Sequence, residues 1–235
     1  GTSLAKAVLP MLSRVEGNWK EYRRILLIAI FQAMFFALPL SAALIALRIP
    51  VVRLVYGTKI FDWDATIQTG MILSVFAISI VSQTLMSVLA RAFFAIHDTK
   101  TPVVVSFIGL FILVIGDFVL VKGFHLEIWA LAASFAVSTI VEAIILLVLI
   151  HKKIGSILNS KFLIHVSKIL GATIFSGTAM FFILKIFDKS VWVKRLSFLS
   201  GVDVAKTFPL EKLMLDTRYT GNVIILTGMT FLVGA

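Results

Sequence analysis

Leu89-Ala90-Arg91-Ala92-Phe93-Phe94-Ala95-Ile96-His97-Asp98-Thr99-Lys100-Thr101-Pro102 joins two long apolar segments and packs charge, aromatic rings and turn chemistry into one short stretch. It reads as a membrane helix ending, a basic turn, and a second helix beginning. Arg91 and Lys100 mark the aqueous, cytoplasmic side of that turn, because short cytoplasmic loops carry an excess of Lys and Arg. Thr101 is placed to cap the second helix, with Pro102 at its first position, where a missing N–H costs nothing.

The composition outside this turn defines the class. Sixty per cent of the 235 residues are hydrophobic, 14% are charged, and the mean hydropathy is +1.05. Those values lie far from soluble domains. A bilayer core takes about 20 apolar residues per helix, and spans are predicted over 25–47, 66–90, 102–121, 127–150 and 162–187. Residues 1–13 read as the end of a helix, 14–24 as a basic connection, and 48–64 as a polar loop. Residues 188–219 are mixed and amphipathic, which predicts an interfacial helix and loop. A sixth apolar run starts near Asn222. The predicted fold class is all-α, a polytopic helical membrane protein. Its expected division is 1–161, a set of transmembrane helices, and 162–235, the last two helices with the interfacial segment 188–219. With no initiator Met and a short final run, the sequence reads as a piece of a larger membrane protein.

The net charge of +10 invites a nucleic-acid reading. The basic residues fall between apolar runs, however, so topology explains them and no nucleic-acid partner is expected. Stretches 14–24, 91–101 and 151–161 hold 4, 2 and 3 Lys/Arg, against 3 and 1 in 48–64 and 121–126. The first set is predicted to be cytoplasmic. There is no cysteine, which removes disulfide and thiolate chemistry. His97, His125, His151 and His165 show no ligand spacing, so no metal site is expected.

Three further patterns accompany the turn. Thr2-Ser3-Leu4-Ala5 through Leu9-Pro10-Met11-Leu12-Ser13-Arg14 is a small-residue run closing in a Leu-Pro-x-Leu-Ser turn. Ala37-Leu38-Pro39 places proline inside the next span, and Ala130-Leu131-Ala132-Ala133-Ser134 follows the later hairpin. Together with Ala90–Pro102 these resemble the C-terminal lobe of the MurJ/MviN family, the lipid II flippases of the MOP exporter superfamily, over roughly residues 1–187. The resemblance implies a MATE-like transporter lobe holding the tail of the eighth helix, the ninth to thirteenth, and part of the fourteenth. It implies a multi-pass protein of the bacterial cytoplasmic membrane. The substrate implied is an undecaprenyl-pyrophosphate-linked peptidoglycan precursor, flipped by alternating access together with an N-terminal lobe. Phe94 stands where the family usually has Tyr, and the family's cavity arginines lie mostly upstream of this chain. A lipid-linked polysaccharide exporter or a cation-coupled drug antiporter of the same superfamily is the alternative substrate reading.

Within the spans, Asp117 and Glu142 are the residues whose burial demands a reason, since an intramembrane carboxylate is costly and marks a functional site by default. Asp117 is predicted to lie level with Trp129–Ala130 across the hairpin. It could bind a coupling Na+ or H+ with carbonyls of the Trp129 turn, or simply meet Lys122 or water. Glu142 is deeper and must pair, protonate or face a water-filled cavity. It reads either as a proton-coupling group or as a fastener between helices. Pro39 removes a helical hydrogen bond and is a candidate hinge. Arg24, Arg91 and Lys100 could attract a pyrophosphate headgroup, or serve only as positive-inside anchors. Ala172, Ser176 and Ala179 share one face of the fifth span; the resemblance makes that face a candidate wall of a lipid-tail groove, while plain helix packing explains it equally.

Enzyme chemistry finds no support. Gly116-Asp117 lacks the glycine at 114 and the Tyr-Asp partner of an intramembrane aspartyl protease. Ser176-Gly177 lacks the glycine at 174 of a rhomboid-type serine. His97-Asp98 has no second histidine pair. Beyond a coupling ion, no cofactor is expected. A non-transporting membrane scaffold is the remaining reading from another class; it would leave Asp117 and Glu142 replaceable.

Overall fold

The computed structural model describes residues 2–15, 17–56, 63–124, 127–155, 157 and 160–187, with positions 224, 225, 227, 228 and 230. Among these, every regular element is helical: α1 (Thr2–Ser13), α2 (Trp19–Ala46), α3 (Arg48–Tyr56), α4 (Trp63–Ala95), α5 (Lys100–Asp117), α6 (Trp129–Ile154) and α7 (Ser160–Phe187). A wider π turn, Phe118–Gly123, continues α5. Among the described residues five helices are long and apolar enough to cross a bilayer: Trp19–Ala46, Asp64–Ala95, Lys100–Gly123, Trp129–Ile154 and Phe162–Leu184. They coincide with the five predicted spans. The predicted interfacial segment 188–219 lies outside the described residues.

The helices overrun the apolar stretches that predict them. α4 has 33 residues, about 50 Å of rise against a hydrocarbon core of about 30 Å. Asp64 and Arg91, near its two ends, therefore need not enter hydrocarbon. The polar stretch before the first span is also largely helical. Gly17 turns the chain at φ +94°, and the Asn18 side chain accepts the Glu21 amide (3.4 Å), an N-cap arrangement that starts α2. The predicted polar loop 48–64 needs correction, because its first half is α3. Pro50 has no N–H for the carbonyl of Ala46, which ends α2 there. Pro50 itself sits in the first turn of α3, where that lack is tolerated.

Two groups of residues pack internally. The first comprises Gly1–Ser41 and Val75–Thr173. Its core is built from Leu12, Tyr22, Leu26, Ile30, Val88, Leu89, Phe93, Leu146 and Ile150, all almost wholly enclosed. The second comprises the described residues within Ala42–Ser74 and Ile174–Ala235. There Ala46, Leu47, Met180 and Leu184 form the buried cluster, and Arg48 donates to the Ser74 hydroxyl (3.3 Å). This grouping follows packing, whereas the division predicted at residue 161 follows chain order.

The opening turn is built as a helix stop and a helix start. His97 adopts a left-handed φ of 56°, the Asp98 amide returns to the Phe93 carbonyl (3.0 Å), and the His97 amide to Phe94 (3.1 Å). That pair of bonds closes α4 in a Schellman motif. The predicted cap on Thr101 moves to Asp98. Its carboxylate accepts the Thr101 amide (3.1 Å) and the Thr101 hydroxyl (2.7 Å), so Thr101 is the donor and not the cap. The Ile96 amide bonds Phe93, leaving the Ala92 carbonyl for another donor, and the buried Tyr22 hydroxyl of α2 supplies it. Removing that hydroxyl strands a carbonyl in a dry site. Tyr22→Phe should therefore lower stability by about 1–2 kcal/mol, read as an earlier thermal unfolding midpoint in detergent; an unchanged midpoint would mean that water reaches Ala92.

Candidate functional site

The polar groups inside the first packing group converge where α5 meets α6. Gly109 and Gly116, seven residues apart, lie on the face of α5 that touches α6. A Cβ added at Gly109 would overlap the Glu142 carboxyl, and one at Gly116 would come within 2.9 Å of the Ser134 Cβ. On α6, Ser134, Ser138 and Glu142 recur every fourth residue, so they line one helical stripe, and all three are buried. Glycine on one side and short polar chains on the other let the backbones approach closely, as membrane helices require when no hydrophobic force drives them together.

Each polar group in this seam has a partner. The Ser134 hydroxyl donates to Asp117, with the carbonyls of Ala130 (3.2 Å) and Leu131 (3.1 Å) beside it. The Ser138 hydroxyl donates to the Gly109 carbonyl (2.6 Å) and lies 3.4 Å from Glu142 Oε1. Glu142 is 7% exposed. A second polar link, Ser82 to Thr139 (3.1 Å), ties α4 to α6. The predicted register of Asp117 shifts accordingly. It meets Ser134, one helical turn beyond Trp129–Ala130, because α5 with its π turn continues to Gly123 and α6 begins only at Trp129, each two residues later than predicted. Trp129 is half-buried at the start of α6. Ser134 and Glu142 are eight residues apart, about 12 Å of helix rise, so the two carboxyls occupy separate sites along one seam.

The other predicted residues are dispersed. Pro39 lies inside α2, exposed, with the helix continuing past it to Ala46. Arg24 is exposed on α2 and pairs loosely with Glu21 (3.6 Å). Arg91 is half-buried within α4, and Lys100 is the exposed first residue of α5. On α7, Ala172 is exposed while Ser176 and Ala179 are half-buried. The packed face lies one position round, at Thr173, Met180 and Leu184. There Gly177 approaches Ala42, with 3.2 Å between Ala42 and a Cβ built on the glycine.

The sequence reading missed the ion pair at the basic end. Lys153, in the last turn of α6, donates to Asp98 at 2.6 Å. Hydrogen bonds from Lys153 and then from the Thr101 hydroxyl and amide lower the Asp98 pKa from 3.8 to about 2. This pair and the Tyr22–Ala92 bond bring the three basic stretches 14–24, 91–101 and 151–161 to one end of the packing group. That is the arrangement expected if all three face the same side of a membrane. Among the described residues no group of three or more His, Asp or Glu is arranged to hold a metal ion.

Helices of membrane-spanning length with their polar groups paired inside the bundle define a polytopic α-helical membrane protein. The family profile described as "Lipid II flippase MurJ" matches residues 1–202, and the chain belongs to that family. Among curated relatives, a probable lipid II flippase MurJ from Rhizobium meliloti (strain 1021) is 30% identical over 112 residues, 47% of this chain and 21% of the relative. One from Buchnera aphidicola (subsp. Baizongia pistaciae) is 28% identical over 58% of this chain and 27% of its own length. One from Synechocystis is 23% identical over 73% and 32%. The chain thus spans about a fifth to a third of the length of these relatives. A solved structure described as "Lipid II flippase MurJ, inward closed conformation" superposes with TM-score 0.63 at 19% identity, covering 97% of this chain and 41% of that one. That likeness establishes the fold.

Two measurements test the site's geometry. Gly109→Ala drives a methyl into the Glu142 carboxyl and should cost about 1–3 kcal/mol. Gly171→Ala, where nothing lies within 4 Å of the added Cβ, should be neutral or slightly stabilising. Unfolding midpoints of the two variants should separate, and equal midpoints would contradict the close α5–α6 contact. For Asp98, a depressed native pKa means stability present above the ordinary value of 3.8 and lost as pH falls through about 2. Carboxyl NMR should find its midpoint near 2, and Lys153→Gln should move that midpoint upward.

Proposed function

We propose that the intact protein flips an undecaprenyl-pyrophosphate-linked peptidoglycan precursor across the bacterial cytoplasmic membrane by alternating access. The reading is carried by the family match over residues 1–202. The present helices would form one lobe of the transporter, with an N-terminal lobe of the same protein completing a polar cavity for the sugar–pyrophosphate headgroup. Arg24, Arg91 and Lys100 would face that headgroup electrostatically from the basic side. The α7 region, with Ala172, Ser176 and Ala179, would line a groove for the lipid tail, and Pro39 would serve as a hinge in α2.

Asp117 and Glu142 are the proposed coupling groups. The oxygens near Asp117 suit a hard monovalent cation, which prefers oxygen ligands: its own carboxylate and the Ser134 hydroxyl, with the carbonyls of Ala130 and Leu131 flanking that hydroxyl. A bound Na+ would supply charge compensation there, and Ser134 would keep the carboxylate oriented toward α6. Trp129, one turn nearer the loop, would close the end of the site. Glu142, enclosed beside Gly109 and Ser138, is the proposed proton site.

The substrate is tested by native mass spectrometry of the intact protein, offering the muropeptide lipid and a lipid-linked polysaccharide precursor in competition. Selective retention of the muropeptide lipid is expected; preference for the polysaccharide lipid would move the function to a sister exporter. Asp117→Asn and Glu142→Gln keep size and hydrogen-bonding shape while removing the charge or titrating proton. Each should slow headgroup translocation in proteoliposomes by about tenfold, equal to about 1.4 kcal/mol of barrier, with binding retained. Unchanged rates in both would favour a packing role for the seam.

A further inference from the structure

One cavity stands apart from the α5–α6 seam. It has a volume of about 710 Å³ and, among the described residues, is lined by Lys20, Arg23, Arg24, Leu27, Ile28 and Phe31. These recur on successive turns of α2, so they form one stripe along the helix. Its three cations sit in the first two turns and its three apolar side chains in the next two. The stripe is therefore itself amphiphilic along the helix axis, changing from charge to hydrocarbon within about 17 Å of rise.

The two ends of the stripe are differently held. At the polar end, Glu21 is the acidic residue of the first turn, and it meets Arg24 at 3.6 Å with both side chains well exposed. Such a contact offsets little charge. Arg23 donates Nε to the Trp19 carbonyl (3.2 Å), which orients the guanidinium stem and leaves its terminal amino groups to other acceptors. Trp19 is 44% exposed and meets Tyr22 edge-on at 6.0 Å, the setting of an aromatic residue at headgroup level. At the apolar end, the Phe31 ring packs on Phe162 (5.4 Å) and His165 (5.3 Å) of α7, so the floor is braced by a second helix.

We propose that this stripe binds an anionic glycerophospholipid of the surrounding leaflet, with the phosphate at Lys20 and Arg23 and an acyl chain along Leu27, Ile28 and Phe31. Basic pockets beside cytoplasmic helix ends recognise lipid phosphates, and the apolar half of the lining gives an acyl chain a place that a free anion would leave empty. The lipid is a resident one, distinct from the translocated substrate, and the inference does not depend on the flippase reading.

The test is native mass spectrometry of the intact protein taken from nanodiscs of equal phosphatidylglycerol and phosphatidylcholine. Wild type should retain phosphatidylglycerol selectively. Lys20→Gln/Arg23→Gln should weaken that retention by about fivefold per cation, so about 25-fold for the pair. Lys152→Gln/Lys168→Gln removes equal charge from other exposed positions and should leave selectivity intact. Equal losses in the two pairs would mean that surface potential alone draws the lipid, overturning the site. Phe31→Ala should weaken retention while the cations remain. Glycerol phosphate should not compete; if it competed as well as the phospholipid, the site would be one for free anions and the acyl-chain contact would be wrong. Displacement by the muropeptide lipid that is abolished in Lys20→Gln/Arg23→Gln would make it a substrate subsite and overturn the resident-lipid assignment. Every variant is compared at matched thermal unfolding midpoint, so misfolding is not mistaken for lost binding.

Discussion

Inside a bilayer there is no water to satisfy a polar group, so each hydroxyl and carboxyl between the helices must find its partner in the neighbouring helix. The contact between α5 and α6 shows how this chain meets that demand. Glycines at 109 and 116 remove the side chains that would hold the helices apart. Ser134 and Ser138 then reach Asp117 and the Gly109 carbonyl. Steric fit and hydrogen bonding are one arrangement here. Larger residues at the glycines would separate the helices and leave the same polar groups unpaired in hydrocarbon.

The basic end is organised by a different balance. Helix ends leave carbonyls and amides unsatisfied, and three unlike devices answer this around a single turn. A left-handed residue closes α4, Asp98 receives the first turn of α5, and the Tyr22 hydroxyl takes up the Ala92 carbonyl. The Asp98–Lys153 pair adds the end of α6 to the same cluster. Loops of like charge are thereby drawn to one side through a carboxylate that offsets part of their repulsion.

These two organising centres separate what the family match and the geometry each contribute. Membership rests on residues spread over 1–202, and the fold on superposition over 97% of the chain. Neither specifies how the polar groups inside the helices are arranged. The seam holds two carboxyls with contrasting surroundings. Asp117 meets a hydroxyl that is flanked by two backbone carbonyls, whereas Glu142 is enclosed against a glycine with one hydroxyl nearby. The α2 stripe belongs to neither centre and addresses the surrounding lipid.

Much of this was legible in the chain itself. Uninterrupted apolar length predicts the five spans, because hydrocarbon thickness is a fixed requirement that each helix must meet alone. Alternating Lys and Arg counts predict which connections share an end. The marks around Ala90–Pro102 predict a stop and a start. Residues 48–56 read as loop because their polar composition outweighs a helix whose buried face is only Pro50 and Val52. Asp117 and Glu142 stood out as costly, but their partners did not. The four-residue spacing of Ser134, Ser138 and Glu142 was the available signal, and it gains meaning only opposite Gly109 and Gly116. The Asp98–Lys153 pair spans 55 residues and has no local signature. Composition and periodicity determined the helices, since those are properties of single segments. Tertiary packing decided the register, the caps and the partners, since a one-turn shift across the hairpin exchanges Ala130 for Ser134 without altering either helix.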